Sequence, residues 1–259
     1  MTAAEHTPRV VIVTGGGTGI GAAITRAFAG AGDAVVVCQR SEADAAAARA
    51  ALSDAGPGRI VVVAQDLADP LAAAALVSAA IAEFDTVDVL VNNAAITGPG
   101  SGEGLLELTD HGIDETIAVN LTSAFRLVRE AGRVMAASGR GGVILNIGSV
   151  AASAAQLNAS VYGATKAGLH ALTQSIAIEL SPHGIRAVTI APGDIATKPL
   201  PEQSTSEGGG PTTPWIRATP LGRRGTPEDV AATALFLASE DAGFLTGTVV
   251  GVDGGWLAY

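Results

Sequence analysis

Tyr162 and Lys166 are four residues apart in a segment with helical periodicity, and Ser149 precedes them at the end of an apolar, strand-like run. Residues at i and i+4 project from one face of a helix, so the phenol and the ammonium are expected to be neighbours. A nearby cation favours phenolate over phenol, which would lower the pKa of Tyr162 from about 10. The spacing predicts a tyrosine that donates and accepts protons. The alternative is that the two residues lie on the surface of an amphipathic helix and have no catalytic role.

A glycine-rich turn follows the first apolar run of the chain. It reads Thr14-Gly15-Gly16-Gly17-Thr18-Gly19-Ile20-Gly21 and leads into a segment with helical periodicity. Glycine permits tight turning, and the N–H groups at a helix start can hold a pyrophosphate. The position between strand and helix predicts a dinucleotide site that uses Gly15, Thr18, Gly19 and Ile20. The turn lacks the Gly-Lys-Ser/Thr ending of a P-loop, which disfavours nucleotide triphosphate hydrolysis.

Short, mostly β-branched runs alternate along the chain with Ala-rich or 3.6-periodic segments. Continuous apolar runs suit strands that are buried on both faces, and their alternation with helices predicts parallel βαβ units. The predicted strands are 10–13, 34–37, 60–63, 87–91, 143–147, 187–190 and 248–252. The predicted helices are 20–31, 42–55, 71–84, 113–137, 161–180 and 227–239, the last capped by Thr226. We therefore predict an α/β fold, a single Rossmann-type domain over 1–259 whose doubly wound parallel sheet of about seven strands carries helices on both faces.

The composition limits the kinds of fold, partner and cellular setting that are expected. Of the 259 residues, 48% are hydrophobic and only 3% are aromatic, which suits closely packed small-residue layers. The net charge of −10 disfavours nucleic acid and anionic membranes as partners. Cys38 is the only cysteine, so no intrachain disulfide is possible and a reducing, cytoplasmic setting is expected. The histidines show no metal-ligand spacing, so we expect no metal site.

The end of the second strand bears on the form of the cofactor. It reads Val37-Cys38-Gln39-Arg40-Ser41, where an acidic residue would normally receive the adenosine ribose hydroxyl of NAD. Arg40 can instead pair with the 2′-phosphate of NADP, and Ser41 can add a hydroxyl. We expect NADP(H) to be preferred. NAD(H) stays open, because Arg40 could be an ordinary surface residue and Thr18 leaves the glycine turn without a second basic group.

Polar residues also follow the third and fourth strands. Asp66-Leu67 comes after the third strand and Asn92-Asn93-Ala94 after the fourth, at the edge where an open parallel sheet binds its ligand. Asp66 is expected to accept a hydrogen bond from the adenine amino group, and the Asn amides to fix the crossing loops. Asp and Asn are also common turn formers, so a purely structural role remains an alternative.

Residues 198–224 interrupt the regular pattern. This segment is rich in Pro, Gly, Ser and Thr and has no sustained period. Long loops inside compact domains are usually functional or disordered. Because it follows a strand whose carboxyl end should face the ligand, we expect a substrate-loop insertion, with a floppy insertion as the alternative.

Together these segments resemble the short-chain dehydrogenase/reductase family over nearly the whole chain, and the 3-oxoacyl-carrier-protein reductase-like members most of all. The family patterns TGxxxGxG, NNAG and YxxxK are met by Thr14, Gly15, Gly19 and Gly21, by Asn92, Asn93 and Ala94, and by Tyr162 and Lys166. Ala95 departs from the family glycine. The resemblance implies that Ser149 and Asn120 are the catalytic serine and asparagine, and that Pro192, Gly193, Ile195 and Thr197 contact the nicotinamide end of the cofactor.

The resemblance also implies a mechanism on a small carbonyl or alcohol substrate. Ser149 would polarise the carbonyl, Tyr162 would transfer the proton, and Lys166 would lower the Tyr162 pKa and hold the nicotinamide ribose. Asn120 would position a water for proton resupply, with a helix cap or kink as its alternative role. A homotetramer is the family expectation. The competing functions are an NAD-dependent alcohol dehydrogenase of this family, a non-catalytic dinucleotide sensor and a methyltransferase.

Overall fold

A computed structural model describes residues 8–97, 103–197 and 219–258. Within them, parallel strands form one seven-stranded sheet in the order β3-β2-β1-β4-β5-β6-β7. The strands are β1 Val10–Thr14, β2 Ala34–Gln39, β3 Ile60–Ala64, β4 Val89–Asn92, β5 Gly142–Ile147, β6 Ile185–Pro192 and β7 Thr248–Val252. The helices are α1 Gly19–Gly30, α2 Glu42–Ala51, α3 Ala72–Phe84, α4 Asp110–Ile117, α5 Ser123–Ser138, α6 Ser160–Glu179 and α7 Pro227–Leu237.

Strand β1 illustrates how the sheet separates two hydrophobic cores. Val11 and Val13 pack in the core that contains residues of α1, α2 and α7, whereas Ile12 packs in the core of α3, α5 and α6. Successive side chains of a strand point to opposite faces, so a continuous apolar run is buried on both sides. The predicted doubly wound α/β fold, with helices on both faces of a parallel sheet, is therefore confirmed.

The direction of the chain crossovers reverses beside β1. Strand β1 pairs with β2 on one side and with β4 on the other, so Val11 is in register with both Val35 and Val89. Such a reversal opens a crevice at the carboxyl ends of the strands, where open α/β sheets bind their ligands. The glycine-rich turn after β1 and the asparagines at the end of β4 both lie at this edge.

The helix predicted at 113–137 is interrupted in the structure. It consists of α4 and α5, separated by a π-helical turn at Ala118–Thr122. Helix α4 begins at Asp110, because the Thr109 hydroxyl accepts a 3.1 Å hydrogen bond from the Gly112 N–H and so caps the first turn. The 3.6-residue periodicity of the sequence does not reveal this wider helical turn.

The C-terminal helix begins where the sequence predicts. Thr226 and Asp229 form a capping box at the start of α7, and Pro227 occupies its first position. The predicted helix at 42–55 ends earlier, at Ala51. Of the predicted loop at 198–224, residues 198–218 lie outside the described residues. No helix within 8–97, 103–197 and 219–258 is long and apolar enough to cross a membrane.

Candidate active site

A cavity of about 810 Å³ opens at the carboxyl ends of the central strands. Its walls are formed by the turn after β1 and by the segments that follow β2 to β6. The predicted residues on these walls are Gly15, Thr18, Gly19, Ile20, Arg40, Asp66, Leu67, Asn93, Ala94, Ser149, Tyr162, Lys166, Pro192, Gly193, Ile195 and Thr197. Ser41 and Asn120 are the predicted residues that do not line it.

Three of the predicted catalytic residues share one part of the cavity wall. Ser149 follows β5 in extended conformation, and its hydroxyl accepts a 3.1 Å hydrogen bond from the Ala151 N–H. Tyr162 and Lys166 come from consecutive turns of α6, with the Lys166 Nζ 5.6 Å from the centre of the Tyr162 ring. The i, i+4 spacing thus places the phenol and the ammonium on the cavity side of the helix, as predicted.

The pKa of Tyr162 moves opposite to the sequence-based expectation. Burial raises it above its ordinary value of 10, and the hydrogen bond with the Ser149 hydroxyl lowers it only in part. Desolvation disfavours the charged phenolate, and this effect is larger than the stabilisation of the phenolate by neighbouring protein groups. The predicted lowering by Lys166 is therefore not found. Tyr162 is a protonated phenol at neutral pH.

Lys166 is 2% exposed, and its ammonium donates a 2.7 Å hydrogen bond to the Ile147 carbonyl. Burial lowers its pKa from 10.5 to about 8. Within the described residues the Ile147 carbonyl is its one hydrogen-bond acceptor, so two of the three N–H donors of the ammonium are unused there. Those donors are available to hydroxyl groups of a ligand in the cavity that Lys166 lines.

The glycine-rich turn fits a pyrophosphate. Thr18 occupies the N-cap of α1 without a side-chain hydrogen bond to the helix, and the first turn carries no acidic residue. The N–H groups at this helix start therefore keep their capacity to bind an anion. A Cβ on Gly17 would lie 2.6 Å from the Ala48 Cβ, so a side chain there would not fit between the turn and α2.

Asn93 ties this turn to the end of β4. Its side-chain N–H₂ donates to the Thr14 and Gly15 carbonyls at 2.9 and 3.2 Å. The Thr14 hydroxyl in turn accepts hydrogen bonds from the Asn93 and Ala94 N–H groups at 2.9 and 3.0 Å. The predicted fixing of crossing loops by an Asn amide is thus observed, and it sets the shape of the phosphate-binding turn.

The residues after β2 divide into two groups. Gln39 and Arg40 line the cavity, and the buried Gln39 side-chain nitrogen has no hydrogen-bond partner among the described residues. Ser41 instead caps α2, where its hydroxyl donates to the Asp44 carboxylate at 2.7 Å and accepts from the Asp44 N–H at 3.2 Å. The expected contact of Ser41 with a 2′-phosphate is therefore not supported, because its hydroxyl is used by the helix cap.

Asn120 lies in the π turn and is 2% exposed. Its side-chain oxygen accepts from the Ile96 N–H at 2.7 Å, and its nitrogen donates to the Ile96 carbonyl at 3.1 Å and the Thr165 hydroxyl at 3.3 Å. The side chain thus joins the segment after β4 to α6. In the described part of the chain its side-chain hydrogen bonds all go to protein groups, which is a structural role, although not the predicted helix cap; the water relay stays a prediction.

The segment after β6 faces the glycine-rich turn. Ile195 and Thr197 line the cavity, and a Cβ on Gly19 would lie 3.4 Å from the Thr197 methyl carbon. This segment therefore closes the cavity opposite the start of α1. Asp66 lies on the wall at the other end, where its carboxylate also accepts a 3.0 Å hydrogen bond from the Ala68 N–H.

Several residues on the cavity wall were missed in the sequence. Gln39 is the last residue of β2, so counting to the strand end would have identified it. Glu115 lies on α4, and its place on the wall depends on which face of that helix meets the cavity, which the sequence does not show. Among the described residues, no group of three or more His, Cys, Asp or Glu side chains is arranged to hold a metal ion.

Known reductases and dehydrogenases are similar in sequence to this chain over nearly its full length. Residues 15–257 match the family model described as enoyl-(acyl carrier protein) reductase. The short-chain reductase protein NovJ of Streptomyces niveus is 40% identical, over 95% of this chain and 93% of that protein. An L-rhamnose 1-dehydrogenase (NAD(P)(+)) of Sphingomonas sp. is 38% identical, over 95% of each chain.

Among solved structures, a blue fluorescent protein from a metagenomic library in complex with NADPH superposes with a TM-score of 0.83. It is 32% identical, over 96% of this chain and 97% of that one. Sequence similarity and structural similarity to these proteins therefore both extend over nearly the full length of the chain. This chain is an oxidoreductase that belongs to the short-chain dehydrogenase/reductase family.

Proposed function

We propose that this enzyme interconverts a ketone and a secondary alcohol by hydride transfer with a nicotinamide dinucleotide, with NADP(H) preferred over NAD(H). The observation that carries the proposal is the position of Ser149, Tyr162 and Lys166 on the same cavity wall. That cavity also includes the uncapped start of α1, which suits a pyrophosphate. The proton-transferring Tyr162 and the dinucleotide site therefore lie in the same cavity.

The roles of the side chains follow from their surroundings. The bound nicotinamide would supply or accept the hydride. The Ser149 hydroxyl would donate to the substrate carbonyl and hold it beside the phenol. Tyr162, which burial keeps protonated, would give its proton to the carbonyl oxygen as that oxygen gains charge. Lys166 would hold the nicotinamide ribose with its two remaining N–H donors.

The raised pKa of Tyr162 favours one direction of reaction at neutral pH. Carbonyl reduction needs the phenol, which is the form present below its pKa. Alcohol oxidation needs the phenolate, whose population rises with pH. We therefore infer that reduction is supported at neutral pH and that the oxidation rate increases as the pH becomes alkaline.

The preference for NADP(H) rests on the charges at the end of β2. Gln39 is neutral at the strand end where an acidic residue would repel a 2′-phosphate, and its side-chain nitrogen has no partner in the described part of the chain. The exposed Arg40 next to it can pair with that phosphate. Asp44 on the same wall is the opposing charge, and its carboxylate is hydrogen-bonded to Ser41.

The test is a comparison of NADPH and NADH as cofactors with a panel of carbonyl compounds and alcohols, followed by nicotinamide absorbance. We expect turnover with at least one carbonyl substrate and a lower KM for NADPH than for NADH. Arg40→Asp should reverse that preference. Equal KM values that Arg40→Asp leaves unchanged would contradict the NADP(H) preference, and no turnover or cofactor binding at all would contradict the proposed function.

The homotetramer, the cytoplasmic setting and the single-domain organisation remain predictions. The same holds for the water relay through Asn120. The substrate is proposed only as a small carbonyl compound or alcohol.

A further inference from the structure

Two parts of the chain that are distant in sequence meet beside the cavity. Ile195, just after β6, forms a parallel bridge with Gly225, which precedes α7. The Gly225 N–H donates to the Asp194 carbonyl at 2.9 Å, and the Ala196 N–H donates to the Gly225 carbonyl at 2.8 Å. This short pairing attaches the cavity segment at Ile195 to the start of α7.

An ion pair reinforces the same junction. The Arg224 Nε lies 3.0 Å from both carboxylate oxygens of Asp194, and its Nη2 lies 2.8 Å from Oδ1. Two guanidinium nitrogens therefore bind one carboxylate, a geometry that fixes orientation as well as distance. The side chains of Arg224 and Asp194 are 25% and 38% exposed, so the pair is partly shielded from water.

Arg224 also acts directly on the peptide group of Ile195. Its Nη2 donates to the Ile195 carbonyl at 3.2 Å, and the Thr197 N–H donates to the same oxygen at 2.8 Å. Two donors hold this carbonyl, which fixes the plane of its peptide group. Among the described residues, the Ile195 N–H has no protein acceptor. Ile195 and Thr197 both line the cavity.

The neighbouring arginine has a different partner. Arg223 binds the Asp229 carboxylate at 2.7 and 3.0 Å, and this carboxylate belongs to the capping box of α7. The interaction with Arg223 is the largest cause that lowers the Asp229 pKa. Arg223 therefore supports the helix start, whereas Arg224 holds the wall of the cavity.

We propose that Asp194 and Arg224 act as a pair of positioning residues, which hold Ile195 and Thr197 against the nicotinamide half of the cofactor. The inference rests on the proposed function, because it requires a dinucleotide in the cavity. The pair would therefore contribute to the affinity for the nicotinamide half of the cofactor and not to that for the adenosine half. A role in folding alone would not distinguish the two halves.

The test measures the dissociation constants of NADPH and of adenosine 2′,5′-bisphosphate, which lacks the nicotinamide half. Arg224→Gln and Asp194→Asn should each weaken NADPH binding about tenfold, the effect of one lost charge-assisted contact. The affinity for adenosine 2′,5′-bisphosphate should stay within about twofold, since its site does not involve the pair. The double variant should bind NADPH no more weakly than Arg224→Gln, because either single change already breaks the pair.

Arg223→Gln is the matched control, since it changes the adjacent arginine in the same way. It should lower the thermal unfolding midpoint and leave the NADPH affinity unchanged. Single variants that bind NADPH as tightly as wild type, additive losses in the double variant, or equal weakening of both ligands would overturn the inference. Wild-type protein that binds neither NADPH nor NADH would instead overturn the proposed function, so the two failures are distinguishable.

Discussion

The Lys166 ammonium lies 5.6 Å from the centre of the Tyr162 ring, on the same cavity wall. Lys166 is buried and Tyr162 is partly buried, and burial disfavours the charged form of each: the pKa of Tyr162 is raised, and that of Lys166 is lowered to about 8. At pH 7 the cost in folding free energy comes from Lys166, which is charged there, whereas Tyr162 is a neutral phenol in the folded and unfolded states. A ligand that supplies further acceptors to the Lys166 ammonium would offset that cost.

Lys166→Met is expected to stabilise the enzyme at pH 7. The lowered pKa of Lys166 corresponds to a burial penalty of about 3 kcal/mol, because each pKa unit is worth about 1.4 kcal/mol. Loss of the hydrogen bond to the Ile147 carbonyl offsets about 1 kcal/mol of that gain. We expect a net increase of about 1 to 2 kcal/mol in the free energy of unfolding by urea, together with loss of turnover.

The same variant has a defined pH dependence. Below pH 8 the lysine is protonated in the folded and unfolded states, so wild type carries the full penalty. Between pH 8 and 10.5 the folded protein releases this proton first, and wild type gains stability relative to Lys166→Met. A difference in stability that does not change across this pH range would contradict the buried, depressed lysine.

Gly21→Ala should disrupt the phosphate-binding turn. An added Cβ would overlap the Gly15 carbonyl oxygen and lie 2.6 Å from the Asn93 side-chain nitrogen. We expect a loss of about 2 to 4 kcal/mol in unfolding free energy, as for other overpacked sites, and no measurable NADPH binding. Calorimetry and cofactor titration provide the two measurements.

Gly30→Ala is the matched control on the same helix. Among the described residues, and apart from the neighbouring backbone of its own helix, the one atom within 4 Å of a Cβ at this position is the Ala55 carbonyl oxygen, at 3.9 Å. The higher helix propensity of Ala should raise the stability by about 0.5 to 1 kcal/mol and leave cofactor binding unchanged. If Gly21→Ala and Gly30→Ala had the same stability and the same NADPH affinity, the short distances from Gly21 to Gly15 and Asn93 would not explain why residue 21 is a glycine.

Asn120→Ala separates the two roles considered for this asparagine. The change removes two hydrogen bonds to the partly buried Ile96 backbone and one to the Thr165 hydroxyl, which should cost about 1 to 3 kcal/mol in chemical denaturation. A proton relay alone would lower turnover without this destabilisation. A variant of unchanged stability and much reduced turnover would therefore favour the relay over the structural role.

The fold was predictable because its strands are marked by continuous apolar runs. Residues such as Val11 and Ile12 are buried on opposite faces of the sheet, so no polar residue interrupts the run. The convergence of Ser149, Tyr162 and the glycine-rich turn was also predictable. Ser149 and the glycine-rich turn directly follow strands whose carboxyl ends meet at one edge of a parallel sheet, and Tyr162 lies in the first turn of the helix that comes after Ser149.

Local hydrogen bonds explain where the prediction failed. Ser41 caps α2, and its spacing to Asp44 is that of an N-cap and its N3 partner, so the sequence did contain this signal. No comparable signal marks the π turn around Asn120 in the sequence. The direction of the Tyr162 pKa depends on burial, which i, i+4 spacing does not report.

Tyr162→Phe tests the central claim most directly, because it removes only the proton-transferring hydroxyl. We expect the turnover number for carbonyl reduction to fall by at least about 10³-fold. The dissociation constant of NADPH should stay within about threefold of wild type, since the ring and Lys166 remain. Reduction at the wild-type rate by this variant would contradict the account.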